Sequence, residues 1–144
     1  MKTRKVTQYI CEFCNKRNYQ KAAMASHEKY CTMNPERGCR MCDKIGELSE
    51  PIPMKELLKI LPEPEDRKQV LQNLVVGYDS SITNLEEIDK AILKLNEKVA
   101  GCTACTLAAI RQKGIPVPAT SFDYKKETES FWKDYNDEHR DYGY

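Results

Sequence analysis

The feature that most constrains this chain is the spacing of its seven cysteines, which form two sets of four with one histidine. A structural zinc ion takes four thiolate or imidazole ligands in a tetrahedron, and a CxxC pair supplies two of them from one tight turn. No cysteine is left over, so the sequence predicts two structural Zn²⁺ ions. The first set is Cys11, Cys14, His27 and Cys31, and the second is Cys39, Cys42, Cys102 and Cys105.

The composition of the chain agrees with folding around metal ions in a reducing compartment. Its 144 residues, 40% of them hydrophobic, support only a modest apolar core. Residues 1–7 are basic and polar, and no long uncharged apolar run follows, so we expect neither a secretory signal nor a membrane span. An odd number of cysteines argues against a fully paired disulfide framework. We therefore expect an intracellular protein, in the cytoplasm or, in a eukaryote, in the nucleus.

The net charge of +1 hides an uneven distribution of charge along the sequence. Residues 1–44 carry ten bases against four acids, which is +6, whereas residues 45–100 carry seven against eleven, which is −4. Residues 101–144 carry six bases against seven acids, which is −1. A positive N-terminal part attracts a phosphate backbone or an acidic protein face. The candidate nucleic-acid-binding residues, for DNA or RNA and mostly without sequence specificity, are Lys2, Arg4, Lys5, Lys16, Arg17, Lys21 and Lys29.

Residues 9–31 carry a ligand spacing that is specific enough to suggest a family. Twelve residues separate the first CxxC pair from His27, and Cys31 follows four positions later. Ligands at i and i+4 lie on one face of a helix and point at the same ion. The pattern resembles the ββα zinc finger with its last histidine replaced by cysteine. The resemblance implies a small core that includes Tyr9 and Met24.

The predicted finger differs from this family at a core position and at the positions that read bases. Asn18 stands where the family has a core aromatic, and because Tyr19 follows it, a hairpin shifted by one residue is left open. The base-reading helix positions correspond to Gln20, Ala23 and Ser26, which include no arginine to reach guanine. Sequence-specific DNA recognition by this finger alone is therefore not expected. The exposed face of this helix could contact phosphates or could simply be solvated, and both alternatives stay open.

The second ligand set joins two CxxC pairs that are 59 residues apart. The first pair follows Gly38 and has the pattern of a zinc knuckle, and the second opens a predicted helix that ends near Gly114. Thiolates at a helix N-terminus are stabilised by the helix dipole, which favours metal binding. A knuckle combined with a CxxC pair at a helix start resembles the treble-clef arrangement of zinc ligands.

A CxxC pair at a helix start is also typical of thiol–disulfide oxidoreductases. Those motifs usually follow a strand, whereas the segment before Cys102 has apolar residues at steps of three and four, which indicates a helix. A redox function is therefore a minor alternative. The apolar residues of this stripe are Ile82, Leu85, Ile88, Ile92, Leu95 and Val99.

The rest of the pattern predicts a mostly α-helical chain with a small ββα-like finger and a helical body closed by the second zinc site. A short helix starts at 51–53, a second one runs over 65–77, and Ser81 or Thr83 caps the third. The predicted divisions are a basic arm and finger at 1–34, a zinc-stapled helical domain at 35–118, and an aromatic, charged helix at 119–144.

The C-terminal helix places Phe131, Trp132 and Tyr135 on one side. Aromatic side chains bury a large area with few torsions to fix, so they suit either packing on the body or docking of a protein partner. Both alternatives stay open. His139, among charged neighbours, is expected to be exposed.

The sequence carries no motif typical of catalysis. It has no Gly-rich phosphate loop and no HExxH, and four protein ligands for each zinc leave no open position for water or substrate. We therefore expect a non-enzymatic protein that binds nucleic acid through its finger. The alternative is a protein–protein adaptor or inhibitor, such as phages and mobile elements encode to modulate a host nucleic-acid machine.

Overall fold

The computed structural model describes residues 1–46, 52–65 and 82–138, and this part of the chain is mostly helical with one small antiparallel sheet, as predicted. The helix expected over 65–77, the possible cap at Ser81 and the expected exposure of His139 lie outside the described residues. The elements in chain order are β1 (Tyr9–Ile10), β2 (Arg17–Asn18), α1 (Lys21–Tyr30), α2 (Arg40–Ile45), α3 (Met54–Ile60), α4 (Leu85–Lys98), α5 (Thr103–Gln112), a 3₁₀ turn (Val117–Ala119) and α6 (Tyr124–Glu138).

The N-terminal unit has the order β1, β2, α1. The strands pair antiparallel, with Tyr9 opposite Asn18 and Ile10 opposite Arg17, and α1 packs on both of them. Met24, on the inner face of α1, is buried, and Tyr9 packs against it, as the resemblance implied. This small core contains Cys11, Met24 and Cys31, with Tyr9, Cys14 and Met33 around them.

Tyr19 is not buried in the finger core, so the hairpin is not shifted by one residue. Tyr19 keeps 64% of its surface exposed, and Asn18 is the last residue of β2, whose Oδ1 accepts a hydrogen bond from the Gln20 backbone N–H at 2.9 Å. Asparagine forms such local turns readily, which leads the chain into α1. Met33, from the segment after α1, packs against the finger core instead.

The main core lies where α3, α4 and α5 meet. The apolar stripe predicted for α4 is buried at its centre and C-terminal end, whereas Leu85 at its first turn is only half-buried. Helix α5 contributes its small and branched side chains, so α4 can approach closely. The most deeply buried members of the core are Leu57, Ile88, Leu95, Val99, Ala108, Ala109 and Ile110.

The residue at the N-cap position of α4 is not the predicted one, and its side chain bonds to another segment rather than to the first turn of the helix. Asn84, rather than Thr83, occupies the N-cap position. Its side chain accepts a hydrogen bond from Glu65 N at 3.0 Å and donates one to the Glu63 carbonyl at 2.8 Å. The cap therefore joins α4 to the segment that follows α3, which a local sequence pattern does not indicate.

The C-terminal helix α6 packs on α5. The hydroxyl groups of Thr128 and Thr103 are 2.9 Å apart, and Phe131 and Trp132 pack against the main core. Across the described ranges, no helix is long and apolar enough to cross a membrane.

Two leucines of α4 provide a direct test of this core. Leu95 is fully buried, whereas Leu93 is 68% exposed. We expect Leu95→Ala to lower the free energy of unfolding by about 2–5 kcal/mol, because it leaves a cavity between the helices. Leu93→Ala is the matched control and should change it by no more than about 0.5 kcal/mol. Urea unfolding at a constant metal concentration measures both, and equal effects of the two substitutions would contradict the packing of α4.

Candidate metal centres

The first centre lies between the turn of the hairpin and the end of α1. Cys11 follows β1, Cys14 lies in the turn, His27 is in the last turn of α1, and Cys31 is its C-cap. The Sγ atoms of Cys11 and Cys31 are 3.9 Å apart, and Cys14 Sγ lies 3.2 Å from His27 Nε2. All four donor atoms lie within 4.8 Å of one another, so they could hold one metal ion.

The turn of the hairpin is shaped by hydrogen bonds that favour the thiolate form of its cysteine. Cys11 N donates to the Lys16 carbonyl at 2.8 Å, and Asn15 adopts a left-handed conformation with φ of 62°. Desolvation raises the pKa of Cys14, but hydrogen bonds with the Lys16 backbone and the His27 side chain outweigh it and lower the pKa to about 7. Because thiolates rather than thiols bind metals, this turn is prepared for an ion.

In the second centre, each CxxC pair begins a helix in the same way. Cys39 is the N-cap of α2, and its Sγ accepts a hydrogen bond from Cys42 N at 3.3 Å. Cys102 is the N-cap of α5, and its Sγ accepts one from Cys105 N at 3.4 Å. Two helix N-termini therefore point their positive ends at one group of sulfur atoms, which stabilises thiolates there.

The fold brings these two distant pairs together. The Sγ atoms of Cys39 and Cys102 are 3.4 Å apart, as are those of Cys42 and Cys105, and all four lie within 4.8 Å of one another. These separations exceed the roughly 2 Å of a disulfide, and all the cysteines are free. The predicted four-cysteine group is confirmed as a cluster that could hold a metal ion.

A tight reversal between α4 and α5 places the second pair in this cluster. Ala100 and Gly101, just before Cys102, both have positive φ, at 54° and 79°. Two successive left-handed residues turn the chain sharply, and glycine adopts this conformation without the steric cost paid by other residues. The Thr106 hydroxyl then donates to the Cys102 carbonyl at 2.9 Å, which fixes the first turn of α5.

Arg37 lies beside the second centre, and the sequence pattern did not identify it. Its Nη1 is 3.6 Å from Cys105 Sγ, and its buried Nε has no hydrogen-bond partner in the described part of the chain. Four thiolates around a divalent ion would carry a net negative charge, which the adjacent guanidinium would offset. The only sequence signal is a basic residue two positions before a CxxC pair. That signal does not distinguish Arg37 from the other bases of this region.

The segment between the two centres is fixed to α5, the helix that opens with Cys102. Gln112 Nε2 donates to the carbonyls of Thr32 and Asn34 at 2.8 and 3.0 Å, and Arg111 Nη1 donates to the Thr32 hydroxyl at 3.0 Å. The Asn34 side chain also donates to the Glu28 carbonyl of α1 at 2.9 Å. The finger and the four-cysteine centre are therefore joined by several hydrogen bonds as well as by the chain itself.

The predicted nucleic-acid-binding residues are exposed but spread over the arm and the finger. Lys21 and Lys29 lie near opposite ends of α1, about 12 Å apart along its axis. Lys29 lies 5.4 Å from the centre of the Tyr30 ring. None of these bases forms an ion pair with another described residue. The full set is Lys2, Arg4, Lys5, Lys16, Arg17, Lys21 and Lys29.

The predicted aromatic group of α6 forms a contiguous cluster. The ring centres of Phe131 and Trp132 are 5.2 Å apart, and those of Trp132 and Tyr135 are 5.5 Å apart, both with edge-to-face geometry. All three rings are half-buried. The structure thus uses part of this surface for packing on the body.

The comparisons with known proteins add no family assignment. No model of a protein family matches the chain, and neither a curated protein nor a solved structure is significantly similar to it.

The two histidines of the chain allow a matched test of the first centre. Native mass spectrometry should find two metal ions in the protein. His27→Ala should reduce this number to one, because it removes a ligand, whereas His139→Ala should leave two bound. Absence of metal from the unsubstituted protein, or two ions in His27→Ala, would show that the ligand assignment is wrong.

The charge of Arg37 should affect the second centre specifically. We expect Arg37→Gln to lower its metal affinity by about 10- to 100-fold, which is the usual effect of removing a group that supports the ligands. Competition with a chromogenic chelator measures this affinity. One of the two ions should leave Arg37→Gln at a lower chelator concentration than it leaves the unsubstituted protein.

Arg40→Gln provides the control for this measurement. The Arg40 guanidinium lies 4.2 Å from the centre of the Tyr30 ring and donates to the Ser26 hydroxyl, so it is directed toward α1. An equal loss of affinity in both variants would assign the effect to local folding rather than to the charge beside the sulfur atoms.

Proposed function

We propose that both centres bind zinc in a structural role. Zn–S bonds of about 2.3 Å in a tetrahedron place neighbouring sulfur atoms about 3.8 Å apart. The separations of 3.4 to 3.9 Å between cysteine sulfur atoms are close to that value. Thiolate and imidazole ligands in sets of four are typical of zinc, and a site with four protein ligands has no position for substrate. This supports a protein that acts by binding rather than by catalysis.

We propose that its binding partner is nucleic acid, held by the arm and the finger. Residues 1–31 contain seven bases and only two acids, which is +5. The single observation that carries this proposal is that all seven bases are exposed and none is ion-paired to another described residue. Positive charges that are not paired with other described residues attract phosphates, and counterions are released when the phosphates bind.

The contacts of α1 favour binding to phosphates rather than reading of bases. Ser26, at one of the base-reading positions of the ββα family, accepts a hydrogen bond from Arg40 at 3.4 Å. Ala23, at another, has no polar group and is half-buried. The finger is therefore proposed to bind with little sequence specificity.

Reversal of three finger charges tests the proposal. In Lys16→Glu/Arg17→Glu/Lys21→Glu, affinity for a DNA or RNA oligonucleotide at low salt should fall by at least about 100-fold, and the slope of log affinity against log salt should decrease by about three. Fluorescence anisotropy over a range of salt concentrations measures both quantities.

The matched control carries the same change of charge on α4. Lys90, Lys94 and Lys98 are exposed there, and Lys90→Glu/Lys94→Glu/Lys98→Glu should bind nearly as well as the unsubstituted protein. Equal losses in the two triple variants would indicate that only net charge matters. Absence of any binding at low salt would overturn the proposal in favour of a protein partner, for which the partly exposed rings of Phe131, Trp132 and Tyr135 offer a surface.

A further inference from the structure

The outer face of the hairpin carries an exposed aromatic residue next to positive charge. Successive residues of a strand point to opposite faces, and Tyr9 and Cys11 point into the finger core. Ile10 therefore points outward, and its partner Arg17 points to the same side. Tyr19 lies two residues beyond Arg17 and continues this face, where its hydroxyl oxygen is 3.5 Å from Gln8 Nε2.

This face of the hairpin is exposed to solvent, and its side chains take no part in the finger core. Tyr19 is 64% exposed, the largest value for any aromatic among the described residues, and Ile10 is 50% exposed. Phe13, in the neighbouring CxxC turn, is 37% exposed. The finger core is closed by Met24, Tyr9 and Met33 without these three side chains. A tyrosine ring and two apolar side chains thus face solvent on the most basic part of the chain.

Three basic residues lie close to Tyr19 in the sequence. Arg17 is on the same face of the hairpin, Lys16 precedes it, and Lys21 begins α1 two residues after Tyr19. Of the two acids of the finger, Glu28 is turned toward the CxxC turn, where its carboxylate accepts a hydrogen bond from Glu12 N at 3.1 Å. The surface around Tyr19 is therefore suited to an anionic ligand that also has flat, apolar groups.

We infer that this face binds single-stranded nucleic acid, with an unpaired base stacked on the Tyr19 ring and the adjoining phosphates held by Lys16, Arg17 and Lys21. The inference rests on the proposed nucleic-acid function and names its substrate class. Bases within a duplex are already stacked on one another, so their flat faces cannot contact a protein ring, whereas unpaired bases can. Stacking on an aromatic side chain tolerates any base, which agrees with the absence of an arginine at the base-reading positions Gln20, Ala23 and Ser26.

The test compares single strands with a duplex. The probes are fluorescein-labelled oligo(dT), oligo(U) and a DNA duplex of equal strand length, bound to the full zinc-loaded chain at low salt. Tyr19→Ala should weaken binding of the two single strands by about 5- to 100-fold and leave duplex binding unchanged. Tyr19→Phe keeps the aromatic face and should bind like the unsubstituted protein. Tyr124→Ala, at another exposed tyrosine, is the control and should have no effect.

Tyr19→Leu separates stacking from folding. It keeps an apolar side chain of similar size without an aromatic face, so it should bind single strands as weakly as Tyr19→Ala while retaining both metal ions by native mass spectrometry. Single-strand affinity as high in Tyr19→Leu as in the unsubstituted protein would overturn the inference.

The outcomes distinguish the inference from the function on which it rests. If the Tyr19 variants bind all probes normally while reversal of the finger charges weakens binding, the stacking site is wrong and the general proposal stands. Tighter binding of the duplex than of either single strand also overturns the inference. Absence of binding to every probe overturns both. A Tyr19-dependent loss on oligo(dT) or oligo(U) supports the inference.

Discussion

The meeting of four cysteine sulfur atoms at the N-termini of two helices is the interaction on which the rest of the structure depends. Cys39 and Cys42 begin α2, Cys102 and Cys105 begin α5, and the segment between them contains α3 and α4. Four thiolates at these distances would repel one another, so a cation held at their centre would stabilise this geometry. Such an ion would also tie together the two ends of a long segment.

This centre also determines how the finger is placed. Helix α5 binds the segment between the two centres through Gln112. This segment places Arg37 beside Cys105. The side chain of Asn34 reaches back to α1, whose last residues include a ligand of the first centre. The two centres are thus connected by a short path of hydrogen bonds. These hydrogen bonds orient the finger relative to the helical body, and the proposed binding of single strands uses the hairpin face presented in this way.

The finger uses its aromatic residues differently from the family it resembles. Asn18 occupies the position of the core aromatic and forms a local turn, while Tyr19, one residue later, points to solvent. The hydrophobic contacts of the core are supplied by Tyr9, Met24 and Met33 together with the ligand cysteines. A metal ion held by the four ligands would make so small a core sufficient, which leaves an aromatic ring for the surface.

The sequence by itself determined the ligand sets and the helical stripe of α4. Ligand spacing is set by the geometry of turns and helices, and three-and-four periodicity by the burial of one helix face, so both are local properties of the chain. The pairing of the two distant CxxC motifs followed from counting, since no other cysteines remained. Only the tertiary structure decided the position of Arg37, the hydrogen bonds of Gln112 to the segment between the two centres, the N-cap at Asn84 and the outward direction of Tyr19. Those features depend on contacts between segments far apart in the chain or on strand register, and residue spacing carries no information about either.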